Sequence, residues 1–253
     1  LCQQTTEDRK HCAWCCENPD PKKTSNCTGE GHCPYRLAKQ AALDAPLPIL
    51  NTAYFLNASE YAGVFTKVPW LVLDEGDTLE DELMGFLSLS FTEAWVKRLE
   101  LGLPDKKTVQ EAWVRWVKEE AYPKAQVQLR AIAVQLGFKG DSWGLRETQL
   151  AKDQKWLERA VRKMNFFLQS IATGNWVWVP DTLSFKPIRV GRYGPQYIFN
   201  KAERVVIMSA TLLSPDQVCA DLGIPRKDVA WLDLDSDFPA RRRPVYYTPV
   251  VAL

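Results

Sequence analysis

No run in these 253 residues is long and apolar enough to span a bilayer, and no signal-peptide core opens the chain. Charge of one sign is also missing: 32 Lys and Arg stand against 31 Asp and Glu. A nucleic-acid partner must therefore meet a local patch, because the overall field is too weak to attract it. There is no GxxxxGK[ST] phosphate loop, so this stretch by itself is not expected to hydrolyse ATP. Cysteine is nearly absent after residue 33, where only Cys219 occurs. A disulfide framework is usually spread over the fold it staples, which argues against a secreted disulfide protein. The chain also lacks an initiating Met, and it is expected to be an internal piece of a longer protein. What is present is the composition of a soluble globular protein, 46% hydrophobic and 25% charged. That is enough for one large or two smaller domains.

The stretch that organises the rest is Leu71-Val-Leu-Asp-Glu-Gly-Asp77. An apolar run without alternation, Trp70 to Leu73, suits a strand buried on both faces of a parallel sheet. Two carboxylates and a glycine follow, and then a helix-start composition from Thr78 to Leu83. Acidic groups at the carboxyl end of such a strand lie where open α/β sheets bind ligands. One carboxylate there can help hold Mg²⁺ while its neighbour orients the attacking water of a nucleotide hydrolase. The plainer reading is a strand, a turn and a helix N-terminus whose dipole favours acidic residues.

The remaining six cysteines, Cys2, Cys12, Cys15, Cys16, Cys27 and Cys33, sit among Asp, Asn, Pro, Lys, Gly and Thr. Such a segment has too few aliphatic side chains for a core of its own, and thiolates on a metal centre can supply the ordering free energy. Zinc commonly takes two close pairs, yet only Cys12-x-x-Cys15 is present; His11 and His32 are possible completing ligands or ordinary loop residues. An iron–sulfur cluster tolerates irregular spacing better, and the composition favours it over zinc and over disulfides. Cys15 and Cys16 are adjacent and do not suit a single cluster together.

Farther along, Cys33-Pro-Tyr-Arg-Leu opens a helix, and Pro46 to Leu56 reads as a strand and turn. From Phe91 to Gly174 the pattern is helical, with Trp113, Trp116 and Val117 at helical spacing and turns at Gly102-Leu-Pro104 and Gly137 to Ser142. These tryptophans can stack on bases, but aromatics so spaced are more often core. Arg115, Lys118, Arg159, Arg162 and Lys163 are candidates for a phosphate-binding face, or simply for a solvated one. Asn175 to Pro180 and Leu183 to Val190 read as strands. Arg204-Val-Val-Ile-Met-Ser-Ala-Thr211 is a second buried strand, followed by a helix capped by Ser214 with Pro215 at its first position and closed at Gly223. Arg241 to Arg243 form a basic run of either phosphate-contacting or linker character.

This order of features resembles the iron–sulfur helicases of the XPD/DinG type within helicase superfamily 2. The carriers are the cysteine segment ending in Cys33-Pro-Tyr, the Asn51-Thr-Ala-Tyr-Phe-Leu56 element, the Asp74-Glu75-Gly76-Asp77 box, the helical insert and Ser209-Ala210-Thr211. The resemblance implies an α/β fold, part of a RecA-like parallel-sheet motor domain with an inserted Cys-rich cluster loop and an inserted helical arch. It divides the chain into a cluster domain (1–45), motor domain 1 (46–90), the arch (91–174), the return of motor domain 1 (175–240) and the start of motor domain 2 (241–253). By the same resemblance Asp74 holds Mg²⁺ through water, Glu75 activates the hydrolytic water, and Ser209, Ala210 and Thr211 are the coupling motif. Asp77 stands in the box where the family has His, which leaves the link between that box and the other motor motifs open. A 4Fe-4S cluster is implied on Cys2, Cys27, Cys33 and one more thiol, Cys16, with Cys15 and Cys12 as alternates. The implied whole is a monomeric ATP-dependent 5′-to-3′ helicase acting on single-stranded or forked DNA in the cytoplasm, or in the nucleus of a eukaryote, with Mg²⁺ and ATP and no membrane partner. The rival readings are a metal-stabilised nucleic-acid-binding module without motor chemistry, and a nuclease relative.

Overall fold

The computed structural model describes residues 34–137, 145–212 and 214–235. All six N-terminal cysteines and Arg241 to Arg243 lie outside the described residues. The helices are α1 (Pro34–Asp44), α2 (Thr52–Tyr61), α3 (Leu79–Leu87), α4 (Glu93–Arg98), α5 (Gln110–Trp116), α6 (Tyr122–Gly137), α7 (Leu145–Ser170), α8 (Gly194–Tyr197) and α9 (Pro215–Leu222). The strands are β1 (Val68–Leu73), β2 (Leu89–Ser90), β3 (Trp176–Val179), β4 (Ser184–Pro187) and β5 (Ala202–Ile207). The chain is thus mixed α/β, and none of its described helices is long and apolar enough to cross a membrane.

Two sheets anchor two apolar cores. β1 and β5 pair in parallel, Leu71 opposite Val205 and Leu73 opposite Ile207, although well over a hundred residues separate them. One face of this pair, Leu71, Leu73, Val205 and Ile207, packs with Leu79, Leu83 and Leu87 of α3, with Ile198 and with Leu222. The other face is open among the described residues: Trp70 is 56% and Val72 53% exposed. The expected strand buried on both faces is therefore covered on one, and the Arg204 guanidinium lies 5.0 Å over the Trp70 ring.

The second sheet is antiparallel in the order β2-β4-β3, and its inner side chains join the helical insert. Phe185, Trp176 and Trp178 pack with Phe91, Trp113, Trp116, Met164 and Phe167. Trp113 and Trp116 are buried core residues, stacked or edge-on against Phe91, and Trp113 lies 4.3 Å from Trp178. Each indole N–H has a partner: Trp113 and Trp178 donate to the Lys107 carbonyl at 2.7 and 2.9 Å, Trp116 to Gly102 and Trp176 to Ser170. Aromatic bulk is buried here without stranding a polar group. α5 continues into α6 through a π-helical turn, Val117–Ala121. Its cause lies two residues on, since Pro123 has no N–H to bond back to the preceding turn.

Two local readings are corrected or met. Pro46 to Leu56 is not a strand: Thr52–Tyr61 is helical, started by Asn51, whose side chain accepts from the Tyr54 N–H at 3.2 Å. An asparagine cap outweighs the β-like look of Ile49-Leu50. Ser214 caps α9 by accepting from the Gln217 N–H, and Gly223 ends it at φ +70° against the Gly191 backbone.

Candidate active site

The parallel pairing brings Asp74 to Asp77 and Ser209 to Thr211 to the same end of the sheet. The ladder runs past the strands: Met208 N–H donates to the Leu73 carbonyl at 2.9 Å, and Gly76 N–H returns a bond to the Met208 carbonyl at 3.0 Å. Gly76 is required by close approach. A Cβ there would meet Ile207 Cγ2 at 2.2 Å.

Glu75 sits in the left-handed region at φ 52°, ψ 46°, which a non-glycine residue rarely adopts without support. Asp74 Oδ1 accepts from the Glu75 N–H at 2.9 Å, and Thr78 N–H and Oγ1 both donate to the Glu75 carbonyl at 3.0 and 2.9 Å. These contacts hold the chain through the tight turn and leave Asp74 and Glu75 exposed just beyond the end of β1. Exposed carboxylate oxygens suit a hard cation such as Mg²⁺, which keeps several waters and takes one or two protein carboxylates. Among the described residues no three His, Cys, Asp or Glu side chains form a metal-sized cluster.

Asp77 crosses to the other half of the site. Ser209 Oγ donates to its Oδ1 at 2.7 Å and Thr211 Oγ1 to its Oδ2 at 2.6 Å. The two hydroxyls are 3.2 Å apart, and the Thr211 N–H donates to Ser209 Oγ. The hydrogen bonds from Thr211 and Ser209 hold the Asp77 carboxyl below the usual aspartate range. Ala210 is exposed beside them. A cavity of about 90 Å³ opens beside Asp77 and Thr211, walled by Glu80 of α3 and by Gln217 and Asp221 of α9. Burial, with Asp221 and Asp81 nearby, raises the Glu80 carboxyl. Gly76 is visible in the sequence as the glycine of the acidic box, whereas Glu80 has no local signal beyond the acidic helix start from Thr78 to Leu83.

The five basic candidates differ in their surroundings. Arg115 on α5 and Lys118 in the π-helical turn are exposed. Arg159 and Arg162 on α7 are exposed too, with their guanidinium groups 5.7 and 5.3 Å from the Tyr61 ring. Lys163 turns inward and donates to the Ser88 carbonyl at 3.1 Å, and burial lowers its amine below the ordinary lysine range. No protein-family model matches this sequence, and no curated protein sequence matches it.

Proposed function

We propose that the chain works within a longer ATP-dependent DNA helicase of the iron–sulfur type, moving 5′ to 3′ on single-stranded DNA and unwinding duplex. The observation that carries this reading is the Asp77 carboxylate bonded to both Ser209 and Thr211 across the ends of the parallel β1–β5 pair. An acidic box and a hydroxyl motif far apart in sequence are thereby one constellation, at the strand ends where open α/β sheets bind their ligands. In this reading Asp74 helps hold Mg²⁺ through water, and Glu75 orients and activates the attacking water. Bound Mg²⁺ supplies neutralisation of the nucleotide's phosphate charge. Asp77, with Ser209 and Thr211, couples the nucleotide to the rest of the motor in place of the family's histidine. Cys2, Cys27, Cys33 and one further thiol, Cys16 with Cys15 or Cys12 as alternates, would hold the 4Fe-4S cluster of this reading.

The test uses the longest natural polypeptide that contains this sequence, read first for a phosphate loop. ATP turnover stimulated by single-stranded DNA and displacement of a duplex with a 5′ tail are the expected results. A visible iron–sulfur chromophore, lost on chelation, accompanies them, whereas a zinc site is colourless. Absence of a phosphate loop upstream, or DNA binding without stimulated turnover, overturns the motor reading in favour of a binding module.

A further inference from the structure

The long helix of the insert packs Phe166 against Tyr193 and Tyr197 and bonds Lys163 to the Ser88 carbonyl, and its charged contact with the α/β part centres on one carboxylate. Glu60 lies in the last turn of α2, and its side chain is only 23% exposed. Its Oε2 pairs with Lys201 Nζ at 3.7 Å, while Arg162 Nη1 stands 4.0 Å from its Oε1. Arg162 holds the same residue a second time by donating to the Glu60 backbone carbonyl at 3.2 Å. Tyr61, the next residue, lies under the Arg159 and Arg162 guanidinium groups and packs at 5.9 Å against Phe86 of α3. A shielded carboxylate shared by two cations loses less of its attraction to solvent than an exposed pair does.

The elements that converge there lead to both halves of the site. Lys201 stands immediately before β5, beyond whose far end lie Ser209 and Thr211. α3, which carries Phe86, follows directly from the Asp77 loop. Arg162 belongs to α7, and Leu157, Met164 and Phe167 of that helix are built into the core of the insert. Packed helices and strands move as stiff bodies, so a displacement of α7 reaches the site through few soft contacts.

Building on the helicase reading, we propose that Glu60 is a positioning residue. Through it the placement of the helical insert is passed, by way of Lys201 and β5, to Ser209 and Thr211. Glu60 touches neither nucleotide nor nucleic acid in this proposal. Its work is to hold β5 to α7.

The experiment compares the intact protein with its Glu60→Gln and Lys201→Met variants. Glutamine keeps the shape of the side chain and removes its charge. Unstimulated ATP turnover is expected to stay unchanged, while stimulation by single-stranded DNA falls about fivefold, the lower end of ordinary coupling between sites. The double variant is expected to fall no further than either single one. Unchanged stimulation overturns the proposal, and so does an equal loss of stimulated and unstimulated turnover, which marks a merely structural role. If the unsubstituted protein shows no ATP turnover, the motor reading fails, and amide exchange decides the coupling independently. Severalfold faster exchange at Met208 in Glu60→Gln, with the segment around Trp113 unaffected, supports the link; unaltered exchange at Met208 refutes it.

Discussion

Replacing Gly76 by alanine tests how tightly the two halves of the candidate site are joined. The new methyl group would lie 2.2 Å from Ile207 Cγ2, with Leu212 Cδ2 and the Met208 carbonyl both at 3.5 Å. Only the first contact is a clash. Relieving it needs a shift of about 1 Å, and Ile207 has little freedom to give it because a β-branched side chain on a strand is stiff at χ1. The alternative is to open the β1–β5 ends, stretching the Gly76 N–H bond to Met208 and the Met208 N–H bond to Leu73. Overpacking of this kind costs about 1–3 kcal/mol. In a chain of this size each kcal/mol lowers the midpoint of thermal unfolding by about 2–4 °C. Differential scanning fluorimetry of Gly76→Ala reads the loss, and adding Ile207→Ala removes the clashing methyl. The double variant is expected to be more stable than the sum of the two single losses, by about 0.5–3 kcal/mol of coupling. Strict additivity, or a Gly76→Ala protein as stable as the parent, refutes the close approach.

The Asp77 carboxyl is held below its ordinary range by Thr211 and Ser209, so its folded-state midpoint lies below its unfolded one. Its stabilising contribution is therefore complete above the unfolded aspartate midpoint, about pH 3.9, and is lost as pH falls through the lowered folded value. In Thr211→Val and Ser209→Ala the Asp77 midpoint is expected to rise toward the ordinary value, read by carboxyl carbon NMR; an unmoved midpoint contradicts the hydrogen bonds. Trp113 is fully buried between Phe91 and Trp178, and Trp113→Ala is expected to cost about 3–5 kcal/mol in urea unfolding. A loss below about 1 kcal/mol would mean that this ring does not serve as core.

The parts of the fold legible in the sequence were those with local causes. Ser214-Pro215 and Gly223 declare the ends of α9, and helical spacing of Trp113, Trp116 and Val117 declares a buried stripe. Asn51 carried an equally local signal, but the aliphatic residues before it suggested a strand. The π-helical turn before Pro123 was also written in the chain, as a missing N–H. Long-range placement was less accessible. An apolar run cannot say which of its faces finds a partner, and Trp70 and Val72 remain exposed in the described residues. The box and the hydroxyl motif could be recognised separately, and the resemblance, by assigning both to one motor sheet, implied the neighbouring strands that the β1–β5 pairing shows. The bonds from Asp77 to residues 132 and 134 positions away depend on strand order and register, which no local pattern encodes. The Glu60–Arg162 contact is hidden for the same reason, the two residues being 102 positions apart.

The central claim is that the acidic turn and the hydroxyl motif form one nucleotide-hydrolysing site. It is tested most directly by steady-state ATP turnover of Glu75→Gln in the longest natural polypeptide that contains this sequence, measured beside its affinity for single-stranded DNA. Turnover is expected to fall by at least about 10²-fold, the usual contribution of a positioned proton acceptor, while DNA affinity is kept. Turnover equal to that of the unsubstituted protein would remove Glu75 from the chemistry and contradict the account.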